Sequence, residues 1–97
     1  MRIITPRAIK DYYTVHADAT TGLTRWLLVA RKAEWRTLAD IKKDFASVDY
    51  IGNSRYVFNI SGNNYRLVVL IRLVHGIIYV RWIGTHAEYS KIDCTTI

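Results

Sequence analysis

The chain has 97 residues, of which 51% are hydrophobic, and it carries a formal net charge of +6 at pH 7 with a pI near 9.7. This length excludes two separate cores and this composition excludes a disordered chain, so we predict one globular domain spanning residues 1–97. The positive charge indicates an anionic partner, and it favours nucleic acid over an acidic protein or a membrane surface.

The cysteine content and the lengths of the apolar runs indicate the cellular compartment. The single cysteine, Cys94, excludes an internal disulfide and a cysteine-based metal site. The opening stretch "MRIITPRAIKDYY" lacks the apolar run of a signal peptide, and no stretch reaches the roughly 18 apolar residues of a membrane span. We therefore predict a cytoplasmic protein that does not associate with membranes.

The first half of the chain, up to about Gly52, has helical patterns. Met1–Ile4 fits a short first strand. Thr5 followed by Pro6 is typical of an N-cap with proline at the first helical position, which predicts a helix to about His16.

Two further helices are predicted after a loop over residues 18–22. The stretch "LTRWLLVARKAEW", Leu23–Trp35, places apolar residues at helical spacing, and Trp35 at its end fits either a core position or a partner contact. In "TLADIKKDF", Thr37 and Asp40 have the spacing of a capping box, which predicts a third, short helix.

From Arg55 onward the hydrophobic period becomes two. Three strands are predicted, "RYVFNIS", Tyr65–Val74 and Ile77–Ile83, joined by turns at "GNN" and "HG". Thr85 and Glu88 then have capping-box spacing, which predicts a short C-terminal helix. The fold class is therefore α+β, with N-terminal helices packed on one face of a small antiparallel sheet.

The longest predicted strand separates apolar from charged side chains. Alternate residues from 65 to 73 form an apolar face, whereas the opposite face carries Arg66 and Arg72. A small domain does not bury two arginines without anions to pair with them. In the next strand Tyr79 and Arg81 share a face, which would join the Arg66 face in one groove. The rim of that groove would carry His86, Tyr89 and Lys91.

This set of residues suits the chemistry of RNA cleavage. Cutting RNA through its own 2′-hydroxyl needs a base, positive groups around the phosphorus and an acid for the leaving oxygen. We assign phosphate binding to Arg66 and Arg81, base or acid to His86, and nucleotide positioning or proton transfer to Tyr89. The three histidines and scattered carboxylates show no metal-ligand spacing, so we predict no metal and no cofactor.

Each of these residues also has a purely structural interpretation. Arg66 and Arg81 fit a solvated sheet face or salt bridges, His86 fits an ordinary surface position, and Tyr89 fits a ring packed on the sheet edge. The basic pair on the third helix fits a solvated face as well as a contact with a nucleic-acid backbone; this pair is Lys42 and Lys43.

The stretch "RYVFNISGNNYRLVVLIRLVHGIIYVRWIGTHAEYSKID" resembles the HigB family of type II toxins, within the RelE-like group of messenger-RNA endonucleases. The features that carry the resemblance are "VFNI", the "GNNYRL" turn and "THAEY", and "MRIITPRAIKDY" also fits. The resemblance implies a toxin that cleaves mRNA, in many relatives on the translating ribosome. It also implies a HigA-like antitoxin with a helix-turn-helix domain, through which alone the chain would contact operator DNA. A basic face suits both mRNA and ribosomal RNA.

The resemblance also implies roles for individual residues. Arg66 in "YRL" matches a phosphate-binding arginine, and His86 and Tyr89 in "THAEY" match a segment with catalytic or substrate-orienting side chains. Relatives use lysines near the sheet, whereas the loop predicted over residues 48–54 contains none here, so Arg55 or Lys91 would substitute. The predicted RNA-binding residues are Arg55, Arg72, Lys91, Lys42 and Lys43.

Two other functions fit the same sequence. The first is a ParE-like toxin, which shares the superfamily but acts on DNA gyrase without cleaving RNA. The second is a basic binding module without catalysis. The histidine and tyrosine after the last strand favour the nuclease.

Overall fold

The computed structural model describes residues 1–97, the whole chain, as a five-stranded sheet with three helices on one face and a short helix after the last strand. The strands are β1 (Arg2–Ile4), β2 (Asp49–Gly52), β3 (Arg55–Ile60), β4 (Tyr65–Arg72) and β5 (Ile77–Thr85). The helices are α1 (Pro6–Val15), α2 (Thr20–Lys32), α3 (Leu38–Asp44) and α4 (His86–Tyr89), with a 3-10 turn at Ala17–Ala19. The predicted α+β class is confirmed. No helix combines the length and the apolar character needed to cross a bilayer.

The strand order in the sheet is β1-β5-β4-β3-β2. The predicted meander of β3, β4 and β5 is confirmed, and β2 adds an antiparallel strand at one edge. At the other edge β1 pairs in parallel with β5, so the sheet is mixed rather than wholly antiparallel. The interpretation of residues 48–54 as a loop is wrong, because Asp49–Gly52 forms strand β2.

The first two helices begin differently from the prediction. α1 starts at Pro6 as expected, but Thr5 has a left-handed backbone (φ 63°) and its side chain makes no capping hydrogen bond. α2 begins at Thr20 instead of after a loop. Its first turn contains Gly22, where a Cβ would lie 2.8 Å from Cγ2 of Ile60. Glycine therefore lets α2 approach β3 closely enough to pack.

Both predicted capping boxes are confirmed. The Thr37 hydroxyl accepts a hydrogen bond from the Asp40 N–H at 3.2 Å, and the Asp40 carboxylate accepts one from the Thr37 N–H at 3.2 Å. The Glu88 carboxylate accepts from the Thr85 N–H at 2.8 Å, and the Thr85 hydroxyl accepts from the Glu88 N–H. Backbone donors hold the pKa of both carboxyls below the ordinary value.

The main core lies between the helices and the sheet face that they cover, called here the inner face. The predicted helical stripe of α2 is buried there, and Trp26 packs edge-on against Phe58 with ring centroids 5.4 Å apart. Trp35 is 3% exposed, and its indole N–H donates to Asp44 at 2.8 Å, so it is a core residue and the alternative of a partner contact is wrong. From the sheet the core takes Tyr56, Phe58, Ile60, Tyr65, Leu67, Val69, Ile71 and Ile78.

A smaller cluster lies on the opposite face, called here the outer face. Residues 90–97 cross this face after α4, and Cys94 is buried there against Val57 and Val68. Trp82, which is half-buried, packs against this smaller cluster. The sheet therefore has packed side chains on both faces at this point.

A β-bulge in β5 decides which face its residues occupy. Val68 pairs with Trp82 and Val69 pairs with Val80, so Arg81 is an extra residue between two ladder positions. The bulge reverses the alternation beyond it, because a one-residue shift moves every following side chain to the other face. Ile83 consequently packs against the main core, on the opposite face from Tyr79.

Candidate nucleic-acid interface

The outer face collects arginines from all of the strands except β2. Residues paired across strands point to the same face of a sheet. Arg66 pairs with Gly84, Arg55 with Leu70, and both Arg72 and Arg2 with Ile77. The guanidinium of Arg81 lies 5.9 Å from the centre of the Tyr79 ring, and Tyr79 also faces outward. The outer-face arginines are Arg2, Arg55, Arg66, Arg72 and Arg81.

No aspartate or glutamate side chain forms an ion pair with any of these arginines. The only side-chain ion pair in the chain joins Arg7 and Asp11 on α1, at 3.8 Å between nitrogen and oxygen. The salt-bridge interpretation of Arg66 and Arg81 is therefore wrong. Guanidinium groups stay charged at any relevant pH and present donors in a fork that matches phosphate. The outer face is thus a surface to which an anion can bind.

Arg66 is half-buried at the start of β4, where the chain leaves the turn after β3. Its Nη1 donates to the carbonyl oxygens of Asn63 at 3.1 Å and Tyr65 at 3.2 Å. A guanidinium has five N–H donors, so these two bonds fix its position and leave donors on the other nitrogens. The backbone therefore holds the Arg66 guanidinium in place and leaves some of its N–H donors free for a ligand.

Tyr89 lies beside Arg66 on the outer face. Burial raises the pKa of its hydroxyl, neighbouring Cys94 and Asp49 raise it further, and the charge of Arg66 opposes them. The ring lies 6.3 Å from the Trp82 indole, centre to centre. At neutral pH the hydroxyl therefore keeps its proton, which makes Tyr89 a hydrogen-bond donor or an acid and not a base.

Trp82 forms a flat surface next to these two residues. A Cβ at Gly84 would lie 2.3 Å from Cη2 of Trp82, so the indole extends across the glycine that pairs with Arg66. Trp82 is half-buried, which leaves part of the ring open. Aromatic side chains of this kind stack on unpaired bases. The sequence did contain a signal for this arrangement, a glycine two residues after a tryptophan.

His86 lies at the same end of the sheet. Its backbone N–H donates to the Asn64 carbonyl oxygen at 3.1 Å, which fixes the start of α4 to the turn that also holds Arg66. The side chain is exposed, and its imidazole makes no hydrogen bond within the protein. His86 therefore lies exposed at the start of α4, beside the turn that holds Arg66.

The remaining predicted catalytic residue lies elsewhere. Arg81 sits over Tyr79, whose ladder partner Leu70 is four residues from Arg66, about 13 Å along the strand. Arg81 therefore lies nearer the middle of the sheet, with its guanidinium over Tyr79, whereas Arg66 lies beside the turn between β3 and β4. The structure thus brings Arg66 and Tyr89 together, with His86 at the rim.

The predicted RNA-binding residues fall on different surfaces. Arg72 ends β4 on the outer face and Lys91 is exposed just after α4. Arg55 is half-buried and donates from Nε and Nη2 to the carbonyl oxygen of Ile97 at 3.1 and 2.8 Å. Two lysines lie exposed on α3, on the helix-covered side away from the outer face; they are Lys42 and Lys43. No group of His, Cys, Asp and Glu side chains is placed to hold a metal ion.

The sequence of the chain is similar to a family of known proteins. A family model described as HigB toxin, the RelE-like toxic component of a toxin-antitoxin system, matches residues 19–92. The mRNA interferase toxin HigB of Escherichia coli K12 is 30% identical over 93 residues, which cover 93% of this chain and 88% of the relative. The mRNA interferase HigB of Shigella flexneri gives the same values. That of Escherichia coli O6:H1 is 26% identical over 94 residues, covering 95% of this chain and 91% of the relative.

Proposed function

Because the chain belongs to the HigB family of RelE-like toxins from toxin–antitoxin systems, we propose that it is an mRNA interferase, an endoribonuclease that stops translation by cutting mRNA. The observation that carries this proposal is the position of Arg66, which the backbone holds beside the Tyr89 hydroxyl and the Trp82 ring with no carboxylate to neutralise it. The relatives are named as mRNA interferases, which favours this activity over gyrase inhibition or RNA binding without cleavage.

The reaction is attack of a ribose 2′-hydroxyl on the adjacent phosphorus. The 2′-oxygen loses its proton, the new O–P bond forms, the bond from phosphorus to the 5′-oxygen breaks, and that oxygen takes up a proton. The products are a 2′,3′-cyclic phosphate and a 5′-hydroxyl. The free N–H groups of Arg66 stabilise the negative charge that grows on the phosphoryl oxygens.

The other residues move protons and orient the substrate. Tyr89, protonated at neutral pH, donates to a phosphoryl oxygen or to the leaving 5′-oxygen. His86 at the rim has an unengaged imidazole and serves as base for the 2′-hydroxyl. Trp82 stacks on a base next to the cut and holds the 2′-oxygen in line with the phosphorus.

The family implies an antitoxin partner and an mRNA substrate. We assign the antitoxin to the HigA-like helix-turn-helix type, so contact with operator DNA is indirect. We assign the outer-face arginines away from Arg66 to RNA on the translating ribosome, and we place the protein in the cytoplasm. The charge of +6 supports an RNA environment of this kind.

The direct test is cleavage of a defined mRNA by the purified protein, with and without translating ribosomes. Cleavage should need Arg66 and the Tyr89 hydroxyl, so Arg66→Ala and Tyr89→Phe should lose it, whereas Arg7→Ala on α1 should cut like the parent. A single 2′-deoxy substitution at the cut site should block cleavage there. Cleavage that survives the deoxy substitution would exclude 2′-hydroxyl attack, and full activity of Arg66→Ala would remove Arg66 from the site.

A further inference from the structure

A second basic surface lies at the opposite end of the sheet from Arg66. A groove of about 570 Å³, called here the distal groove, opens between the start of β1, residues 31–36 at and beyond the end of α2, and the β4–β5 turn. Three arginines from two parts of the chain line it: Arg2 from β1, and Arg31 and Arg36 from the second segment. All three are exposed.

The charges in the distal groove are unbalanced. None of the three arginines has a carboxylate within 4 Å, since the only ion pair in the chain is on α1. Glu34 is the only acidic residue in the lining, and His75 lies at the turn opposite. Three unpaired guanidinium groups around one concave surface repel one another, and an anion bound between them relieves that repulsion.

The walls of the distal groove are firmly held. Trp35 is buried and bonded to Asp44, which fixes the segment that carries Arg31 and Arg36. The Arg2 N–H donates to the Gly76 carbonyl oxygen at 2.8 Å, which joins β1 to the turn. The arginines are therefore presented from a preformed surface, and binding does not have to order the backbone first.

The distal groove is continuous with the outer face. Arg2 belongs to both, because it pairs with Ile77, which in turn pairs with Arg72. Arg66 and Arg72 are six residues apart on β4, about 20 Å along the strand. Unpaired arginines thus run from the Tyr89 end of the sheet to the groove.

We propose that the distal groove binds phosphodiester groups of the same RNA strand whose scissile phosphate lies at Arg66, an inference that rests on the proposed function. An acidic protein segment is the competing occupant. It would need apolar surface to bury, but the only strongly exposed large apolar residue in the lining is Val74 at the turn, a single side chain and not a patch. Continuity with the outer face favours the RNA strand.

The test measures how RNA affinity depends on salt. The probe is a single-stranded RNA of about 12 nucleotides with 2′-O-methyl groups throughout, so that it binds without being cut. The variant is Arg2→Gln with Arg31→Gln and Arg36→Gln. The control is Arg7→Gln with Lys10→Gln and Lys32→Gln, which removes the same charge from exposed positions outside the distal groove.

Each lost phosphate contact lowers the slope of log affinity against log salt by about 0.7 for a single strand. The groove variant should therefore bind with a slope smaller by about 2, while the control keeps the parental slope to within about 0.7. Equal slopes for the groove variant and the parent would overturn the inference, and so would weaker antitoxin binding by the groove variant with RNA binding intact. A parent that binds the probe no better than Arg66→Ala would instead contradict the proposed function.

Discussion

The same strands place apolar side chains on the inner face of the sheet and charged side chains on the outer face. On the inner face Leu67 and Val69 of β4 are completely buried beneath the helices. On the outer face Arg66 and Arg72 of the same strand carry charge that nothing in the chain neutralises. Successive residues of β4 thus alternate between the main core and the candidate site. We therefore expect substitutions on one face to alter stability and substitutions on the other to alter activity.

Arg66→Ala should produce the largest effect and the clearest separation. Loss of a positioned donor to the phosphoryl oxygens should slow RNA cleavage by about 100-fold to 1000-fold. The free energy of unfolding should change by less than about 1 kcal/mol, because the side chain bonds only to backbone carbonyls of the nearby turn. Cleavage rates and urea unfolding of the same preparation measure both. A variant that unfolds easily would show that Arg66 is structural.

Leu67→Ala tests the adjacent residue on the inner face. Removing a completely buried leucine should lower the free energy of unfolding by about 2–5 kcal/mol, since a cavity remains. Activity per folded molecule should stay near that of the parent at low temperature. Urea unfolding and an activity assay corrected for the folded fraction measure the two quantities. A Leu67→Ala variant with normal stability but no cleavage would contradict the assignment of stability to the inner face and activity to the outer face.

Gly84→Ala tests how the outer face is packed. The added methyl would lie 2.3 Å from the Trp82 ring, so the indole must move. We expect the free energy of unfolding to fall by about 1–3 kcal/mol and cleavage to fall with it, because the ring also contacts Tyr89. Adding Trp82→Phe removes the obstructing part of the indole and should restore stability. A Gly84→Ala variant as stable as the parent would show that the Trp82 ring does not cover Gly84.

The smallest expected effect concerns pH and Tyr65 at the edge of the main core. Its hydroxyl donates to Asp18 at 2.5 Å, and this bond together with burial raises the pKa of Tyr65 to about 12 from 10.0. Because the folded state holds the proton more tightly, this stabilisation is complete below pH 10 and is lost as pH rises towards 12. Urea midpoints at pH 8 and pH 11 should differ less for Tyr65→Phe than for the parent. If the change in urea midpoint between pH 8 and pH 11 were equal for Tyr65→Phe and the parent, the stabilising role of this hydrogen bond would be contradicted.

The sequence allowed most of the fold to be predicted because local signals agreed with tertiary packing. The apolar stripe of α2, the capping boxes of α3 and α4 and the three long strands all follow from spacing alone. Strand β2 was missed because four residues at a sheet edge, two of them exposed, carry no clear alternation. The parallel pairing of β1 depends on a contact between the two ends of the chain, which no local pattern records.

The candidate site could be predicted only in part. Alternation along β4 correctly placed Arg66 and Arg72 together on the outer face. The alternating pattern of β5 continues through Arg81 in the sequence, so the bulge at Arg81 could not be recognised. The glycine two residues after Trp82 was a local signal for its position, but the packing of residues 90–97 across the sheet joins distant parts of the chain.

The most direct measurement is to map RNA 5′ ends across the transcriptome after brief induction in bacterial cells, comparing the parent with Arg66→Ala and Arg7→Ala. The account predicts new ends inside coding sequences for the parent and for Arg7→Ala, in register with codons if cutting occurs on the translating ribosome, and no new ends for Arg66→Ala. Unchanged RNA in cells that still stop growing, or the same new ends with Arg66→Ala, would contradict the assignment of RNA cleavage to the outer face.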